Sequence, residues 1–222
     1  MWSRMRPFVH EMEELQKSLL EMGGLVETSI HNSIRSLVEN DRTRAWQVSD
    51  SEPQINRLEI RIDETATRLL ALFQPVARDL RFVTAALKIN KDLERMGDLA
   101  LNIARYATDH VQSPLGTGLL EIPRMSKTVE AMVRGSLDAF VRRDEALARR
   151  VLLSDDDVDD LKESVYRELL GILDYRPELA RPAFDLIFIA HNLERMADHA
   201  TNIAEDVTFM ITGHDVRHHH AA

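Results

Sequence analysis

Residues 93–104 read LERMGDLALNIA, and residues 193–204 read LERMADHATNIA. Between 91–104 and 191–204 nine of fourteen positions are identical. A period of one hundred residues is too long for a solenoid repeat and suits a duplicated small domain. At about 100° per residue, Leu93, Met96, Ala100 and Ile103 fall on one stripe, the pattern of a helix with one buried face. Glu94, Asp98 and Asn102 form a separate ridge that this projection places nearly opposite, and Glu194, Asp198 and Asn202 repeat it.

Working outward, the chain keeps a helical rhythm almost throughout. Residues 8–40 carry Phe8, Met12, Leu15, Leu19, Met22, Val26, Ile30, Ile34 and Leu37 at helical spacing. The Gly23-Gly24 pair inside this run points to a close crossing or a kink. A second helix is expected over 43–73, broken or bent in its first part by Pro53, and a third over 77–109. The stretch QSPLGTGLL then has linker composition, and the pattern restarts over 122–142, 144–174 and 177–211. Asp144 is a plausible cap, and Ser154 marks a plausible break. The acidic run SDDDVDD lacks the Gly and distal Glu of an EF-hand and reads as a helix start, where negative charge is favourable. The predicted fold is all-α: two tandem three-helix bundles related by internal duplication about a pseudo-twofold. The first spans 1–112, the second 119–217, and 113–118 links them.

Composition bounds the function. Among 222 residues there are only 8 Gly and 7 Pro, and no Cys, so disulfides and thiolate metal sites are excluded. A net charge of −9 argues against general nucleic-acid binding. No apolar run approaches the ~20 residues of a membrane span, and no signal-peptide core is evident at the N-terminus. The expected location is the cytoplasm. The terminal DVRHHHAA can bind metal nonspecifically and is kept out of the functional reading.

The ridges carry the candidate chemistry. Carboxylates at i,i+4 repel each other by a few tenths of a kcal/mol on an isolated helix. Arg95 and Arg195, near the ridge edge, offset part of this, and a bound cation would offset it better. Oxygen donors suit hard or borderline divalent ions, from Mg, Ca and Mn to Fe or Zn. The second helix repeats the spacing with Glu59 and Asp63. Asp159 and Glu163 repeat it in the second half, although alignment puts Lys162 at the Glu59 place and Tyr166 at the Asp63 place. The candidate metal set is therefore Glu59, Asp63, Glu94, Asp98, Asn102, Asp159, Glu163, Glu194, Asp198 and Asn202. His191 and Glu205 join the second ridge, where the first has Lys91 and Arg105, so the second is expected to be the stronger cation site. The bland alternative is a solvated acidic face. A di-iron enzyme would need Glu-x-x-His ligands pointing into a core, and neither ridge helix has one.

LLALFQPVARDLRFVTAALKINKDLERMGDLALNIAR (69–105) resembles the signature region of the PhoU family, the accessory regulators of phosphate-specific transport. IAHNLERMADHATNIAEDV (189–207) is similar to its second copy, and LQKSLLEMGGLVETSI (15–30) to the family's first helix. The resemblance implies two bundles with pseudo-twofold symmetry and E/D-x-x-x-D motifs that hold surface metal clusters in some members. By position these are Glu94/Asp98 and Glu194/Asp198, with Glu59/Asp63 alongside. It also implies a non-catalytic negative regulator of the phosphate-starvation response. Its partners would be the ATP-binding subunit of a phosphate transporter and a phosphate-sensing histidine kinase, with membrane association only through them, and the protein itself a homodimer. A metal-binding hydrolase or di-iron enzyme, and a purely structural scaffold, are the alternatives.

Overall fold

The computed structural model describes residues 2–109 and 121–214. Helices make up 94% of it and strands none. The first half consists of α1 (Trp2–Glu39), α2 (Arg42–Phe73) and α3 (Ala77–Asp109). The second consists of α4 (Ile122–Arg142), α5 (Glu145–Leu153), α6 (Asp155–Tyr175) and α7 (Ala180–Thr212), with one 3-10 turn at Pro177–Leu179. The expected linker, 113–118, lies outside the described residues, as does the histidine run.

Local chemistry sets the boundaries. Asp41 caps α2, its carboxylate accepting from the Thr43 N–H at 2.9 Å. Asp144 caps α5 in the same way, accepting from the Leu147 N–H at 3.0 Å. At Ser154 the expected 144–174 helix divides in two. The Ser154 backbone N–H turns back to the Val151 carbonyl, and its hydroxyl donates to the Arg150 carbonyl. The acidic run then opens α6, with Asp155, Asp156 and Asp157 in its first turn, where free backbone N–H groups favour negative charge. Pro53, by contrast, does not break α2. It and Ser49, whose carbonyl it leaves unpaired, lie on the exposed face, where water can take the missing hydrogen bond.

The apolar rhythm of α1 is buried as read: Leu15, Leu19, Met22, Val26 and Ile30 are fully inaccessible. So are Leu93, Met96, Ala100 and Ile103, with Leu193, Met196, Ala200 and Ile203. Helices α1, α2 and α3 pack mutually, and α4, α5 and α6 surround α7. The halves also join directly, α1 against α4 and α3 against α7, so their buried side chains form one continuous core. In each joining pair a helix meets its own counterpart, an arrangement consistent with a twofold relation of the halves. The first joint explains Gly23: a Cβ there would sit 2.5 Å from the Leu137 Cδ1 of α4. The glycine marks a close crossing, and α1 runs through it without interruption.

Candidate acidic grooves

Only part of each ridge faces open water: Asp98 (42% of its side chain), Asp198 and Asn202 are exposed, whereas Glu94 and Glu194 are largely covered. Each borders the groove between the third helix of its half and the helix before it. Glu94 and Glu194 have side chains only 15% and 19% exposed, because α2 and α6 flank them. The angular reading placed their direction on the helix, but the neighbouring helix covers the side.

In the α2–α3 groove, the Lys91 ammonium lies 2.8 Å from the Glu59 carboxylate and 4.0 Å from Glu94. Asn90, almost wholly buried, donates from Nδ2 to the Glu59 carbonyl at 3.0 Å and to Asp63 Oδ1 at 2.9 Å. The Arg95 guanidinium lies 3.5 Å from both Glu94 and Asp98 and so spans the i,i+4 pair. Burial, then the charge of Asp98, raises the Glu94 carboxyl, against the pull of Arg95 and Lys91. Asn102 continues the line one turn on, half-buried.

In the α6–α7 groove, the Lys162 ammonium donates to Glu194 Oε1 at 2.7 Å. His191 Nδ1 lies 3.1 Å from Glu194 Oε2. Asp155, Asp159, Asp198 and Glu194 crowd here. Burial, followed by repulsion from Asp198, Asp159, Asp156 and Glu194, pushes the Asp155 carboxyl up to about 6. Burial, then Glu194 and Asp159, also raises Asp198, with His199 and Lys162 opposing. Burial would lower the Lys162 ammonium, but the hydrogen bond and charge of Glu194, with Tyr166 and Asp159, leave it raised.

Not every candidate joins these grooves. Glu163 is 71% exposed and faces Arg167 along its own helix. Asn202 turns across the joint between the halves to Asp92. Asp92 also holds His199 Nδ1 at 2.8 Å, and Lys88 holds Asp206 at 2.7 Å nearby. These pairs border an open depression of about 320 Å³. The sequence reading missed Asp155, which it took only as helix-start charge, and the bridging roles of Asn90, Asp92 and His199. The 100-residue offset carries Asn90 to Ala190 and Asp92 to Asn192, so these groups leave no trace in the repeat.

The donor set has oxygen chemistry suited to a hard cation, and the buried Oε2 atoms of Glu94 and Glu194 make no aligned hydrogen bond but have the Arg95 guanidinium at 3.5 Å and the His191 ring at 3.1 Å, respectively. Among the described residues, no three carboxylate or imidazole groups converge on one point. An ammonium already sits on one carboxylate in each groove.

Comparison with known proteins bears on both halves. The profile of the PhoU domain matches residues 19–107 and again 122–207. The chain is 39% identical over 214 residues to the phosphate-specific transport system accessory protein PhoU homolog of Pseudomonas aeruginosa, covering 95% of this chain and 88% of that one. The homolog of the same name in Caulobacter vibrioides is 35% identical over 212 residues, covering 95% and 92%. The crystal structure of PhoU from Pseudomonas aeruginosa superposes with a TM-score of 0.89 at 38% identity, over 93% of this chain and 100% of that one. The phosphate transport system regulatory protein PhoU from Streptococcus pneumoniae gives 0.87 at 29% identity, over 94% and 99%.

Proposed function

This chain belongs to the PhoU family, and from that membership we propose that it is a non-catalytic regulator of phosphate uptake, holding the phosphate-starvation response down when phosphate is plentiful. The observation that carries this reading is the double match of the PhoU domain across both halves. The partners we propose are the ATP-binding subunit of a phosphate transporter and a phosphate-sensing histidine kinase, met at the cytoplasmic face of the membrane. No helix among the described residues is long and apolar enough to cross a membrane, so attachment there would come through the partners. Self-association as a homodimer belongs to the same proposal.

The geometry favours docking over turnover. The groove carboxylates are engaged by Lys91, Arg95 and Lys162 and by helix-to-helix hydrogen bonds, which holds them as fixed surface charge. Long rigid helices present that charge over an extended face, where it orients a basic partner and speeds encounter, and where salt weakens it. The test is genetic and biochemical. Deleting the gene should leave starvation genes active in high phosphate, and the parent protein should restore repression. A variant with Glu94 and Glu194 changed to Gln and Asp98 and Asp198 to Asn should keep its helical circular dichroism, fail to restore repression, and lose pull-down of the ATP-binding subunit. A well-folded variant that represses normally would remove the grooves from the working surface.

A further inference from the structure

Helix α2 packs only against α1 and α3 among the described residues, so one of its sides lies open. Its buried line runs through Val48, Ile55, Leu58, Ile62 and Leu69. On the opposite side stand Trp46, Pro53 and Ile60, at intervals of seven residues. Seven residues are almost two full turns, so the three share one stripe. Trp46 is 62% exposed and Ile60 57%. Large apolar side chains aligned along a free helix face mark a contact surface. Four charges border the stripe: Arg42, Asp50, Arg57 and Glu64. All four are exposed, and none forms an ion pair among the described residues. Arg61 and Arg68, further round the helix, are instead engaged by Glu14 and Glu11 of α1.

The order of these residues is self-complementary about Pro53. Trp46 lies seven residues before it and Ile60 seven after; Arg42 lies eleven before and Glu64 eleven after; Asp50 lies three before and Arg57 four after. Reversing the helix about Pro53 sets Trp46 against Ile60, Arg42 against Glu64 and Asp50 against Arg57, each pair occurring twice. A parallel copy in register would set like charge against like. We propose that this face is where two copies of the chain meet, their α2 helices antiparallel about a twofold axis at Pro53. The proposal rests on the self-association put forward above and names its surface. A twofold interface must complement itself, and this order of residues does so. The compact proline ring at the axis lets the helices approach closely, and the tryptophans supply the anchors. The charges form a polar rim. Glu59 and Asp63 turn aside to Lys91 and Asn90 of α3, so the acidic groove stays clear of the seam. A seam of roughly 34 Å between two helices is at the small end of specific interfaces and suits a dimer of micromolar strength.

Sedimentation equilibrium of the full chain and its variants tests this, with helical circular dichroism as the check on folding. The parent should dimerise in the micromolar range. Trp46→Glu should weaken the dimer about tenfold or more. Asp50→Arg and Arg57→Glu each bring like charges together twice and should weaken it by a similar factor. An equimolar mixture of those two variants should recover pairing close to the parent's, because every contact in the mixed dimer is again between opposite charges. A parent that stays monomeric would remove self-association itself and the proposal with it. A dimer indifferent to Trp46→Glu would keep self-association but place it on another face, which overturns the proposal. So would single charge variants that dimerise as well as the parent, or a mixture that does not recover.

Discussion

Replacing Asp155 by Asn should stabilise the protein at neutral pH and leave it unchanged in acid. The Asp155 carboxyl stands at about 6 instead of 3.8, from burial and then from Asp198, Asp159, Asp156 and Glu194. About two units at about 1.4 kcal/mol each set a ceiling near 3 kcal/mol on the cost of its ionised form. Partial exposure screens that to roughly 1–2 kcal/mol. Asn also forfeits roughly 0.3–1 kcal/mol of favourable charge in the first turn of α6. The net gain at pH 7.5 is therefore about 1 kcal/mol. The sign with pH follows from the raised folded value. The protonated group's contribution is fully present below the unfolded pKa near 4 and is lost as pH rises through about 6. The advantage of Asp155→Asn should accordingly appear between about pH 4 and pH 6 and hold above that. Urea titrations at pH 4.5 and 7.5 would show it, as would a melting-temperature rise of about 2–4 °C at the higher pH only. A variant equally or less stable than the parent at pH 7.5 would refute the crowding of carboxylates on which the groove's description rests.

Three further outcomes are expected. Gly213 closes α7 in the left-handed region at φ 77°, so Gly213→Ala should cost about 1 kcal/mol in urea unfolding without changing helical content. Asp144→Ala removes the α5 cap and should cost about 1 kcal/mol, most of it recovered by Asp144→Ser. Lys88→Met takes the 2.7 Å ammonium from Asp206, whose side chain is 9% exposed. It should destabilise the joint between the halves by about 2 kcal/mol, seen as a lower urea midpoint at unchanged slope.

The fold was legible because its decisive signals are periodic. The stripe of Leu93, Met96, Ala100 and Ile103, written again one hundred residues later, is buried in both copies. Capping chemistry was equally visible at Asp144 and at the acidic start of α6. Pro53 reads as a break or bend, yet α2 continues through it because burial of Val48, Ile55 and Leu58 on the opposite face outweighs a local cost of about 3 kcal/mol. The site was half legible. A helical projection shows where Glu94 and Glu194 point on their own helix, but it is blind to the neighbour that covers them. The same limit hid the partners drawn from distant segments: Asn90 with Asp63, His199 with Asp92, and Lys88 with Asp206. Lys162 stood out in the alignment as a mismatch at the Glu59 place. Only the tertiary structure shows that the mismatch reverses which helix supplies the positive charge.

The close passage of α1 over α4 at Gly23, together with the long seam of α3 on α7, changes what the connection between the halves has to do. Two bodies that share one buried interior need no strap. A protease cut between Asp109 and Glu121 should therefore yield two fragments that stay together through gel filtration and melt as one. The two fragments made separately should find each other in the tube.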